Sequence, residues 1–123
     1  MRRITQNQLN RIIEKHRLWL KNRTNNKLAD FHNMDFSYLD FNGADFRHAD
    51  FSNAIFHCAN LENVDFSHSN LYYADFHNAY VVNLKIRGAI IKGINPENAI
   101  TDKNFYLRLV SMHQNMKERG FKI

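Results

Sequence analysis

Seven histidines, a single cysteine and a regular series of aspartates are the residues of this 123-residue chain whose types could do chemistry. His48 and His68 stand twenty residues apart, as do His57 and His77, so a chain returning on itself at that interval would pair them as metal ligands. A tetrahedral site needs a third and a fourth ligand, which an outward pair on a flat wall does not supply. These histidines read as solvated surface. Cys58 is the only cysteine, which excludes an internal disulfide and fits a reducing compartment. Expected on an exposed position with no adjacent base, it does not read as a nucleophile. Asp30, Asp35, Asp40, Asp45, Asp50, Asp65 and Asp75 could suggest paired carboxylates for acid–base work. They recur at multiples of five, however, which is the mark of side chains bonding nearby backbone at corners. No cleft gathers two of them with a nucleophile, and no glycine-rich loop is present to cradle phosphate. The expectation is a chain with no catalytic residue, no metal and no cofactor, and therefore not an enzyme.

What must position these residues is a repeat of five. From Ala29 to Gly93 the chain divides into thirteen units, each with a large apolar centre: Phe31, Phe36, Phe41, Phe46, Phe51, Phe56, Leu61, Phe66, Leu71, Phe76, Val81, Ile86 and Ile91. Two residues before each centre stands a smaller or flexible residue, most often alanine. On an α-helix a step of five turns by about 140°, which would scatter the centres around the cylinder. On a strand an odd step alternates faces. A chain that turns a corner in every unit buries them all. With four units to a coil, the path closes into a square and returns above itself, about 4.8 Å higher, where backbone groups can pair. The centre and the residue two before it then point inward. Phe31, Phe51, Leu71 and Ile91 stack on one side, and Phe36, Phe56 and Phe76 on the next. Every such ladder is apolar.

The units Ala44-Asp45-Phe46-Arg47-His48 and Ala49-Asp50-Phe51-Ser52-Asn53 resemble the pentapeptide-repeat family. That resemblance implies an all-β solenoid with α caps: a right-handed quadrilateral β-helix of about three coils, flanked by an N-terminal and a C-terminal helix. Units such as Ala79-Tyr80-Val81 and Leu84-Lys85-Ile86 drift from the motif, so the last coil departs furthest from it. Proteins of this kind include quinolone-resistance proteins that bind DNA gyrase by imitating duplex DNA. Acidic rows, Asp45 above Asp65 and Asp30 above Asp50, could serve the same purpose here. A body of three coils is only ~15 Å tall, short for such a mimic.

The open ends of a solenoid expose unpaired edges and need covers. Residues 1–28 are expected to form an N-terminal capping helix and basic arm. Thr5 is placed to cap it, and Leu9, Ile12, Ile13, His16, Trp19 and Leu20 fall on one face. This pattern resembles the leader helix of phage-associated members of the family. His16, on the apolar face, reads as a hydrogen-bonded capping histidine. Residues 94–123 are expected to provide the other cover. A helix from about Lys103 to Arg119, capped by Thr101 or Asp102, would carry Phe105, Leu109, Met112 and Met116 on one face. Family members often dimerise through their C-terminal ends, so these four residues are the candidate homodimer interface.

Charge is distributed unevenly. Residues 1–28 carry eight basic groups against one acidic, whereas residues 29–93 carry four basic against eight acidic. An acidic body thus follows a basic arm. No apolar run is long enough to span a bilayer, and the N-terminus lacks the apolar stretch of a signal peptide, so a cytoplasmic protein is expected. Outward Tyr72, Tyr73 and Tyr80, with Ile55 and Val82, are candidate anchors for a protein partner, together with Asp45 and Asp65. The leading expectation is a non-enzymatic interaction protein of phage or mobile-element origin. It would bind and inhibit or modulate bacterial nucleic-acid machinery, gyrase or a defence effector such as a CRISPR complex. The alternatives are direct nucleic-acid binding through Arg2, Arg3, Arg11 and Lys15, and a purely structural oligomerisation module.

Overall fold

A computed structural model describes residues 2–22, 29–103 and 107. The elements in order are β1 (Arg2–Arg3), α1 (Gln6–Asn22), β2 (Ala29–Asp30), β3 (Met34–Asp35) and β4 (Ala49–Asp50). Strands this short are what a chain turning every five residues allows. β2 pairs in parallel with β4, Ala29 against Ala49 and Asp30 against Asp50. Isolated parallel bridges continue the same register upward: Asp35 to Ile55, Asp40 to Asn60, Asp45 to Asp65 and Asp50 to Asn70. Every partner is twenty residues on, so each coil has four bridged sides. Between coils, the Phe51 amide donates to the Asn70 carbonyl (2.8 Å), and the Asn70 amide donates back down to Ala49 (2.9 Å).

The corners follow from turn chemistry. The Ala44 amide donates to the Phe41 carbonyl at 2.8 Å, with Gly43 at φ 75° between them. A positive φ at the third residue of a turn is the signature of type II. The last residue of each unit takes this conformation, and the chain fills it with Asn33, Asn53, Asn63 and Gly43, but also with Tyr38, His48, Cys58 and Tyr73. Asparagine and glycine tolerate the left-handed region; tyrosine does so at a cost. At Gly93 the absent side chain matters twice over, because φ is 74° and a Cβ would lie 2.8 Å from the Tyr73 ring of the coil below. The residue before each centre steadies the corner: Asp50 Oδ1 accepts from the Ser52 amide (2.9 Å), and Asn70 Oδ1 from the Tyr72 amide (3.0 Å). This is the structural role expected of the repeated aspartates.

The interior is the predicted one. Phe36, Phe41, Phe46, Phe51, Phe56 and Phe66 are fully buried. Phe36, Phe56 and Phe76 form a column of near-parallel rings, 5.5 and 5.2 Å apart. Burying each such ring is worth roughly 1.5–3 kcal/mol. Ser69 takes an alanine position and is buried, its hydroxyl donating to the Phe66 carbonyl at 2.6 Å.

The coil runs past the boundary at residue 93 expected from the sequence. Asp75 bridges to Asn95 and Tyr80 to Ile100, and Ile94 and Ala99 join the core. Two further units are therefore present, with Pro96 and Thr101 at their centres. Thr101 does not stand free at the mouth of a helix: it is buried above Val81, with Oγ1 3.5 Å from that residue's carbonyl. Pro96 has no amide to donate upward, which blunts the upper edge on its side. The C-terminal helix and the proposed interface residues Phe105, Leu109, Met112 and Met116 lie outside the described residues.

At the lower end, α1 opens with a capping box. The Gln8 amide donates to Thr5 Oγ1 (3.2 Å) and the Thr5 amide to Gln8 Oε1 (2.8 Å). Leu9 and His16 are buried and Ile12 and Ile13 half-buried, whereas Arg11, Lys15 and Lys21 are exposed. One element was not foreseen. β1 adds a strand beneath the first coil, Arg2 pairing with Met34 and Arg3 with Asp35.

Candidate functional site

The lower end of the solenoid is where the greatest variety of side chains converges. Three devices meet the edge of the first coil there. β1 pairs with β3 through backbone. Gln6 imitates a strand with its side chain: Nε2 donates to the Asp40 carbonyl and Oε1 accepts from the Asp40 amide, both at 2.8 Å. His16 places Nε2 2.8 Å from the Arg47 carbonyl, its ring stacked on Trp19 and tilted against Phe46. The capping histidine expected from the sequence is thus found in that role. Backbone groups left open at the edge of the first coil are thereby given partners.

The outward walls carry the remaining candidates. His48 and His68 stack at 5.1 Å, and His57 and His77 lie 5.1 Å apart at a steeper angle. Each pair meets as the twenty-residue interval requires. His57 Nδ1 is 3.0 Å from the His77 carbonyl. Cys58 is half-buried rather than exposed, and His57 Nε2 lies 3.5 Å from its sulfur. The expectation of no adjacent base is corrected: the left-handed corner at Cys58 brings consecutive side chains together instead of setting them on opposite faces. Asp30, His32 and Asp50 are the one group of three metal-ligating side chains close enough to share an ion among the described residues. His32 Nδ1 is already engaged by Asp30, whose hydrogen bond and charge raise the imidazole above its ordinary value.

The acidic rows are two residues deep. Asp45 stands below Asp65, and Lys85 ends the row; Asp30 stands below Asp50, and Asn70 and Ile90 follow. Asp45 is also held by Arg47, whose Nη2 lies 2.7 Å from Oδ2. Burial pushes the Asp45 carboxyl up, but hydrogen bonds from the Arg47 side chain and amide, with its positive charge, outweigh burial and leave the group below its ordinary value. Asp35 follows the same logic, with Ser37 donating from both Oγ and the amide. A carboxyl depressed in the folded state stabilises the fold above its unfolded value, and that contribution disappears as pH falls through the lower folded value. Melting temperature should therefore decline as pH drops below about 4. Asp45→Asn should make that decline shallower; an unchanged acid limb in a melt series would show the pair to be inert.

Tyr72, Tyr73 and Tyr80 are exposed at 39%, 52% and 38%, as expected, while Ile55 and Val82 are half-buried. Tyr38, Ile90 and Ile100 are more exposed than Tyr80 and were not singled out from sequence. Their signal was present in the repeat. In the place before the centre, the first coil has Asp30, Asp35, Asp40 and Asp45, whereas the last units have Ile90, Asn95 and Ile100. That place passes from four aspartates in the first coil to Lys85, Ile90, Asn95 and Ile100 in the last four units. No helix among the described residues is long and apolar enough to cross a membrane.

A rigid square coil with structural corners and side chains presented on flat walls defines a solenoid scaffold. Residues 28–53 and 59–83 match the model for pentapeptide repeats, in eight copies, so the coil of this chain is built of pentapeptide repeats. The fold is accordingly a right-handed β-helix. Similar solved structures include a pentapeptide repeat protein (Rfr23) from the cyanobacterium Cyanothece 51142, at 21% identity and TM-score 0.42, covering 66% of this chain and 65% of that one. Another is alr5209 from Nostoc Pcc 7120, at 21% identity and TM-score 0.44, covering 72% and 78%. QnrB1, a plasmid-mediated fluoroquinolone resistance protein, aligns at 25% identity and TM-score 0.29, covering 58% and 45%. The chain thus spans just under two thirds of the length of the first and less than half of QnrB1. No curated protein matches it.

Proposed function

We propose that this chain is a non-enzymatic protein-binding module of phage or mobile-element origin that acts in the cytoplasm on bacterial nucleic-acid machinery. Gyrase or a defence effector is the proposed target class, by analogy with the relatives it resembles. The observation that carries the binding reading is the side of the upper coils where Tyr72 and Tyr73 are exposed in one unit and Ile90 in the unit directly above it, held by the backbone ladder. Rigid aromatic side chains lose little conformational freedom on docking, which suits them as anchors. The aspartates are committed to corners, which supports a scaffold rather than an acid–base catalyst. The short acidic rows make a duplex mimic a lesser part of the surface than the tyrosines.

Affinity capture of the tagged chain from bacterial lysate, with and without nuclease, tests the reading. One stoichiometric protein should survive nuclease, and a Tyr72→Ala, Tyr73→Ala double variant with an unchanged melt should lose it. Capture unaffected by the double variant would move the contact surface elsewhere, and an absence of any stoichiometric protein would sink the reading.

A further inference from the structure

Six cations are gathered at the lower end of the molecule. Arg2 and Arg3 lie on β1, Arg11, Lys15, Arg17 and Lys21 lie on α1, and all six are exposed. Glu14 is the only carboxylate on these two elements, and it is taken by Arg17 at 2.6 Å. Among the described residues, no carboxylate comes within 4.0 Å of Arg2, Arg3, Arg11, Lys15 or Lys21. At about 100° per residue, Arg11, Lys15 and Lys21 fall on the side of α1 away from the buried Leu9 and His16, and Arg17 stands at the flank of the helix. The packing that holds α1 on the coil therefore turns Arg11, Lys15 and Lys21 outward. β1 is fixed in register on β3, so its two arginines are displayed from paired backbone rather than from a free tail.

We propose that β1 and the outward face of α1 form an end-on docking surface for duplex nucleic acid, recognised through its phosphates. Charge complementarity carries the assignment. The walls of the first coil carry Asp30, Asp35, Asp40 and Asp45, which repel a polyanion and confine it to the basic end. Arginine supplies four of the six cations and matches phosphate oxygens in a bidentate fork. An anionic membrane is a poorer fit, because Leu18 is the one large apolar side chain that α1 exposes. The surface lies at the opposite end from the tyrosine wall, so this inference does not depend on the protein-partner proposal.

The test is fluorescence anisotropy of a short labelled duplex of mixed sequence against the full chain, repeated over a salt series. Binding at low ionic strength should weaken with a log–log slope of about −4, near −0.9 for each neutralised phosphate. Arg11→Gln and Lys15→Gln should each reduce that slope by about 1, with no change in the circular dichroism melt because both side chains are exposed. Arg87→Gln with Lys92→Gln, on the upper coils, should leave it unchanged. Absent or salt-independent binding would overturn the proposal, as would equal losses in the upper-coil variant. Polyglutamate competing as well as DNA would reassign the surface to an acidic protein, and phosphatidylserine vesicles bound in preference to the duplex would reassign it to a membrane.

Discussion

Phe56→Ala should cost about 3–5 kcal/mol of folding stability, the largest loss expected from any single truncation in the coil. Phe56 is fully buried at the middle of its column, with Phe36 5.5 Å below and Phe76 5.2 Å above, both near parallel. Phe41 and Phe66 meet it edge-on at 5.5 and 5.7 Å. Removing the ring leaves a cavity bounded by side chains whose backbones are pinned by the ladders, so collapse around it is limited. The thermal midpoint should fall by upwards of ~10 °C. Phe31→Ala is the internal comparison, because Phe31 is half-buried in the lowest coil and loses less contact. Equal losses at the two positions, or an unchanged midpoint for Phe56→Ala, would refute this account of the core.

Leu9→Ala should cost about 2–5 kcal/mol, although Leu9 lies outside the repeats. It is fully buried and belongs to the same apolar core as the coil centres. The loss should have a local signature as well. Gln6 rides on α1, and its Oε1 accepts from the Asp40 amide. Loosening α1 should accelerate hydrogen exchange at Asp40 while leaving Asp65, bonded to Ala44 from within the coil, protected. Uniform acceleration along the coil would mean that α1 and the solenoid unfold together; no acceleration at Asp40 would mean that Leu9 does not hold the helix in place. Arg11→Ala, on the exposed face, should leave both the melt and the exchange pattern unchanged.

How much of this was legible beforehand differs from residue to residue. The apolar centre at every fifth position excludes a continuous helix or strand, and Phe36, Phe56 and Phe76 could be stacked in advance because the interval is fixed at twenty. The recurring aspartates declared their corner role by recurring. The left-handed corner was also written in the sequence, in Asn33, Gly43, Asn53 and Asn63, but was not read there, since His48, Cys58 and Tyr73 occupy the same place and blur it. The upper limit was misjudged because Pro96 and Thr101 are poor matches to an apolar centre. Thr101 is accepted because its hydroxyl lies near the Val81 carbonyl, a partner that only the coil below supplies.

The sequence by itself determined the coil, its interior and the outward place of the tyrosines, because a short exact period leaves few ways to bury every large side chain. Tertiary structure alone decided how the lower end is finished. Arg2 and Arg3 read as a basic arm until Met34 and Asp35 present an open edge for them to pair with. Gln6 is an ordinary polar residue until the Asp40 backbone lies opposite its amide, and Cys58 acquires an imidazole neighbour only through the corner that turns it back. The contacts of β1 and Gln6 join residues with no common period. They arise because an unpaired backbone edge must find donors and acceptors among whatever the folded chain brings near.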